Sequence, residues 1–172
     1  MGEKYKRYVE AYRRIDSSIA SAHYFEAIAI EESIISDRIA SFMEATGALK
    51  SEHIHRQSFS SLISLWQLST RIQGSIWERC DALVERVNTW RTQRNKYIHG
   101  LVKFPVDMKN VPSTEDFLTG AKETANSGKY LAISVSEWRA RQVQVKRRYN
   151  KSLNSTPVFS SSSDRVGDAI LD

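Results

Sequence analysis

Three side chains near the middle of the chain have types that can do chemistry. They lie in "RNKYIHG", residues 94–100. Arg94 carries a planar fork of donors that matches phosphate oxygens. His99 carries an imidazole, which titrates near neutrality and suits general acid–base work. Asn95 follows directly, with a side-chain amide that can both donate and accept hydrogen bonds.

An element must hold them. At about 100° per residue, Ile76, Cys80, Leu83, Val84, Val87, Trp90, Ile98 and Leu101 form one apolar stripe, and a helix is expected from about Ser75 to His99. Arg94 falls within roughly 20° of the middle of that stripe. His99 lies about 140° around from Arg94. Asn95 sits one turn before His99, on the same flank. A guanidinium at a core position needs a carboxylate, a phosphate or several hydrogen bonds.

A second helix, from near Ser21 to the stop at Gly47, carries the complementary charges. Its apolar arc includes Tyr24, Phe25, Ile28, Ile35, Ile39 and Phe42. Glu31 and Glu32 fall inside that arc, about 60° and 40° from its centre, while Asp37 and Glu44 face away. Either glutamate can pair with Arg94 and fix its orientation. Spacing alone leaves another reading open. Arg94 can snorkel outward with its stem on Trp90, and His99 and Gly100 can simply end the helix.

The remaining pattern is helical. A first helix spans about Glu3 to Ile19, and another runs from Ser58 to about Ile72, before Gly74. "LKSEHIHRQ" reads as a connection, and Pro105 limits the fourth helix. Further on, "VPSTEDFLTGAKETANSG" predicts a short helix capped by Ser113 or Thr114. "KYLAISV" reads as a strand or a lead into a helix, and "SEWRARQVQVKRRYN" as a basic helix capped by Ser136. The expectation is an all-α bundle of four main helices with C-terminal helical additions, covering residues 1–154. The Ser-rich stretch 155–172 is expected to be a flexible, disordered tail.

Composition limits the function classes. The 172 residues carry 41% hydrophobic and 26% charged side chains and a net charge of +5, which fits one globular domain with an anionic partner. Cys80 is the lone cysteine, so no intrachain disulfide can form and a reducing, cytoplasmic setting is expected. No apolar run reaches membrane-spanning length, and no signal peptide is visible. His53 and His55 form an H-x-H pair without further ligands at metal-site spacing, so neither metal nor cofactor is expected. No Gly-rich phosphate loop occurs. Cys80, Trp66, Trp77 and Trp90 follow apolar helical spacing and are expected in the core, the tryptophans alternatively at a dimer interface. Lys96, Arg139, Arg141, Lys146, Arg147 and Arg148 are candidate contacts to an RNA backbone, with a solvated helix face as the alternative.

The motif Arg94-Asn95-x3-His99, ending a long helix in a small helical domain, resembles the signature of the HEPN superfamily, Arg, four to six residues, then His. "SAHYFEAIAIEESIISDRIASFMEATG" is similar to that family's second helix. The likeness spans roughly residues 5 to 105. It implies a HEPN-like bundle and a metal-independent endoribonuclease, commonly a bacterial toxin or antiviral defence effector. Two copies of such domains usually pair so that both motifs line one cleft. By that resemblance His99 is the acid or base, Arg94 stabilises the phosphate and Asn95 orients them. A homodimer acting on RNA, with an antitoxin or regulatory protein as a further partner, is implied. One branch of the family has Tyr two residues after the His; here that position is Leu101. The alternative is a non-catalytic HEPN-like module that binds a nucleotide or a protein, or a plain helical interaction protein.

Overall fold

The computed structural model describes residues 2–54, 56–72, 76–100 and 113–154. His55, Gly74, Ser75, Leu101, Pro105 and the expected tail 155–172 lie outside the described residues. The chain is all-α, and the described residues contain no strand. The helices are α1 (Glu3–Ala20), α2 (Tyr24–Thr46), a one-turn α3 (Ser51–Ile54), α4 (Phe59–Arg71), α5 (Asp81–Gly100) and α6 (Thr114–Asn154). No helix of the described residues is long and apolar enough to cross a membrane.

The sharp turn between α1 and α2 places Ala22 at φ 60° and lets the His23 amide donate to the Ser18 carbonyl at 2.7 Å. The two helices therefore run antiparallel. α2 ends at Gly47, whose φ of 74° gives the left-handed cap that glycine adopts without steric cost. Ser58 caps α4, its hydroxyl accepting from the Ser61 amide at 3.1 Å.

Two expectations fail at α5 and α6. α5 starts at Asp81, not near Ser75. Residues 76–80 are not helical, and the backbone of Glu78 is bonded across the bundle instead. The Glu78 amide donates to Gln142 Oε1 at 3.0 Å, and the Glu78 carbonyl accepts from Trp138 Nε1 at 3.4 Å. Asp81 then binds Arg71 and Arg79 at the start of the helix.

The second difference is α6, one helix of 41 residues, about 60 Å long, where a short helix, a possible strand and a basic helix were expected. Ser113 does cap it, accepting from the Asp116 amide at 3.0 Å. Ser136 caps nothing. It lies mid-helix, within hydrogen-bond reach of the Tyr12 hydroxyl and accepting from Arg38 Nε, both at 3.2 Å. Gly120 and Gly128 do not break α6; they let neighbours come close. A Cβ on Gly120 would overlap the Tyr97 hydroxyl. One on Gly128 would overlap Glu31 Oε2 and stand 2.7 Å from Trp90 Nε1. The roughly 1 kcal/mol cost of a helical glycine is offset by that packing.

α2 and α6 form the centre of the bundle and run parallel, as Phe25–Phe117 at one end and Phe42–Trp138 at the other require. α1 lies antiparallel on one side, α5 antiparallel on the other, and α4 covers α5. Ile15, Ile28, Ile35, Phe42, Trp66, Val87, Trp90 and Trp138 are buried in one continuous core. Trp66 and Trp90 lie in that core, and Trp77 packs half-buried against Phe42. Cys80 is 7% exposed, and burial pushes its thiol up to about 11.

Candidate active site on the last turns of α5

Arg94 points from α5 toward α2. Its Nη2 donates to Glu32 Oε2 in an ion pair, and its Nη1 donates to Asn95 Oδ1 at 2.6 Å. Both charged side chains are mostly covered, Arg94 being 21% exposed and Glu32 19%. At that depth the pair is screened far less than a surface pair. Nε of Arg94 is buried with no partner among the described residues. The guanidinium neither snorkels nor lies free.

Glu31 does something different. It is 0% exposed, and neither carboxylate oxygen has a hydrogen-bond partner. It sits beneath Gly128 and beside Trp90, whose indole donates instead to the Thr124 carbonyl at 2.9 Å. Burial pushes the Glu31 carboxyl up to about 9, against a smaller opposing pull from Lys129. It is thus a neutral acid at pH 7, not a partner for Arg94. The rotation rule put Glu32 nearer the centre of the arc. The order is reversed because α6 covers α2 on the Glu31 side.

Asn95 is half-buried, and His99 is exposed on the last turn of α5. Arg94 and His99 are five positions apart, a rise of about 7–8 Å along the axis. Gly100 is still helical and lies against Phe117, so it is no left-handed cap. The end of α5 is held by aromatic packing: Tyr97 meets Phe117 edge-on at 5.2 Å, and Phe117 meets Phe25 at 6.2 Å. Gly120 makes room for Tyr97. Phe117, Gly120, Gly128 and Trp90 thus position the site without chemistry of their own. Their signal is a face of small residues on α6, with Gly120, Thr124, Gly128 and Ala132 four apart.

The six basic candidates do not gather around Arg94 and His99. Lys96 is exposed near Arg94, with Nζ 5.3 Å from the Tyr97 ring centroid. Arg141 is paired with Glu78 at 3.2 Å. Arg139 and Lys146 donate to carbonyls near the end of α2, those of Ser41 at 3.2 Å and Ala45 at 2.8 Å. Arg147 and Arg148 are exposed farther along α6. His53 is 3.3 Å from Glu52. Among the described residues no three His, Cys, Asp or Glu side chains are grouped to hold a metal ion. The chain matches no protein-family model, no curated protein and no solved structure.

Proposed function

We propose that this chain is a metal-independent endoribonuclease of the HEPN type, a toxin or antiviral defence effector working in the cytoplasm as a homodimer. The supporting observation is the Arg94 guanidinium held by Glu32 and Asn95 on the helix that ends in an exposed His99. A guanidinium has five N–H donors, and the two bonds seen leave others for a phosphate. In the proposed reaction the RNA 2′-oxygen attacks its own phosphorus and the bond to the 5′-oxygen breaks. His99 moves the proton and Arg94 neutralises charge growing on the phosphate oxygens. The products are a 2′,3′-cyclic phosphate and a 5′-hydroxyl. Two-fold pairing brings a second copy of the motif to the same cleft. A cognate antitoxin or regulatory protein is part of the proposal, since such an activity in a cell needs restraint.

One observation favours a second reading, a non-catalytic HEPN-like module that binds a nucleotide or a protein. Glu32 already matches the charge of Arg94, as in a purely structural ion pair. Expression in a bacterial host separates the two. A nuclease slows growth and degrades RNA, and His99→Ala abolishes both effects. A binding module leaves RNA intact in both cases.

A further inference from the structure

The far end of the bundle, where α2 ends against α6, has more cations than anions. Arg38, Arg139, Lys146 and Arg147 gather there, and none forms an ion pair among the described residues. Arg38 donates to the Ser136 hydroxyl and stacks on the Tyr8 ring at 3.7 Å. Arg139 and Lys146 meet the neutral carbonyls of Ser41 and Ala45, and Arg147 has no partner among the described residues. Of the nearby carboxylates, Asp37 accepts from Tyr8 and Lys4, Glu78 accepts from Arg141 and Gln142, and Glu44, next to Ala45 on the last turn of α2, is engaged as well. The Nε of Arg139 is buried and unbonded. Burial first, and the charge of Arg38 second, lower the Arg139 pKa, which marks a cation held against its own solvation.

These cations border a cleft of about 280 Å³. Arg139, Lys146 and Arg147 line it together with the half-buried Trp77, which packs edge-to-face at 5.3 Å on the fully buried Phe42 beneath. Such a volume is just below the usual range for small-molecule sites, which limits the occupant to one ring. The terminal carbonyls of α2 absorb part of the charge of Arg139 and Lys146. Arg147 makes no hydrogen bond or ion pair among the described residues, and three forked or ammonium donors around one cleft suit a phosphate.

We propose that this cleft, separate from the Arg94–His99 site, binds a phosphate monoester bearing one planar ring, the phosphate against Arg139, Lys146 and Arg147 and the ring against Trp77. The ligand can be a free nucleotide or another aryl phosphate, since the recognised chemistry is the same. The inference stands whether or not the chain cleaves RNA.

The test is calorimetric titration of the full chain with phenyl phosphate, uridine 5′-monophosphate, inorganic phosphate and phenol. Phenyl phosphate is expected to bind more tightly than inorganic phosphate or phenol. Uridine monophosphate matching it assigns a nucleotide; uridine monophosphate failing assigns a non-nucleotide aryl phosphate. Arg147→Ala, at an exposed position, is expected to weaken phenyl phosphate about tenfold or more, as loss of a charge-assisted hydrogen bond does, with unchanged thermal melting. His99→Ala is expected to bind like wild type. No binding of phenyl phosphate at millimolar concentration overturns the proposal, as does binding unaffected by Arg147→Ala.

Discussion

Replacing Glu31 by Gln tests the electrostatics of the core directly. The carboxyl is raised from 4.5 to about 9 by burial, so the folded chain keeps a proton that the unfolded chain loses above about pH 4.5. The sign follows. This group lowers stability progressively as pH rises from 4.5 toward 9, and the loss levels off beyond. Each pH unit is worth about 1.36 kcal/mol, so between 4.5 and 7 the loss is roughly 3 kcal/mol, from 1.36 × 2.5. Gln has nearly the same shape and cannot ionise. It brings an amide into a place with no partner, a cost of about 1–3 kcal/mol that does not depend on pH. The slope therefore carries the information, not the offset. In urea melts from pH 4.5 to 7, the stability of Glu31→Gln minus that of wild type should rise by about 3 kcal/mol. For a chain this size that is a relative gain of about 6–12 °C in melting temperature. Asp37, Asp81 and Glu10 have lowered pKa values and add the opposite slope in acid, but both proteins share it. Parallel curves between pH 5 and 8 would mean that Glu31 is ionised in the fold and paired, contrary to the unbonded carboxyl described above.

Gly128→Ala should lower stability by about 1–3 kcal/mol despite the better helix propensity of Ala, because its Cβ overlaps Glu31 and crowds Trp90. Chemical denaturation measures this, and combining it with Glu31→Ala should restore much of the loss. A double-mutant cycle of Arg94→Ala and Glu32→Ala should give a coupling of about 1–3 kcal/mol, well above an exposed pair; a coupling near zero would show that the pair does not hold Arg94. Cys80, buried with its thiol pushed up to about 11, should resist alkylation at pH 8 until the chain is unfolded. Rapid alkylation in native buffer would contradict its burial.

The sequence makes part of this molecule legible, and the boundary has physical causes. α1, α2 and α4 can be read directly, since their apolar periodicity and their ends are local, as at Gly47 and Ser58. The meeting of Arg94 with a carboxylate on α2 is legible because charge at a core position demands a partner. Which glutamate it takes is not, because α6, a helix distant in sequence, buries Glu31. α6 itself reads as fragments, since Gly120 and Gly128 resemble breaks until Tyr97, Glu31 and Trp90 are seen to fill the space beside them. The start of α5 is hidden for a similar reason. Ile76 and Cys80 continue the apolar stripe, but the backbone at Glu78 bonds to Gln142 and Trp138 across the bundle.

The proposed nuclease activity is tested most directly by incubating purified protein with RNA in EDTA and identifying the ends of any fragments. The proposal predicts 2′,3′-cyclic phosphate and 5′-hydroxyl ends from the wild type. His99→Ala should lower the rate by about 10²–10⁴-fold, the usual worth of general acid–base catalysis. Its thermal melt should be unchanged, since His99 is exposed. Cleavage that requires Mg²⁺, or that persists at full rate in His99→Ala, would contradict it.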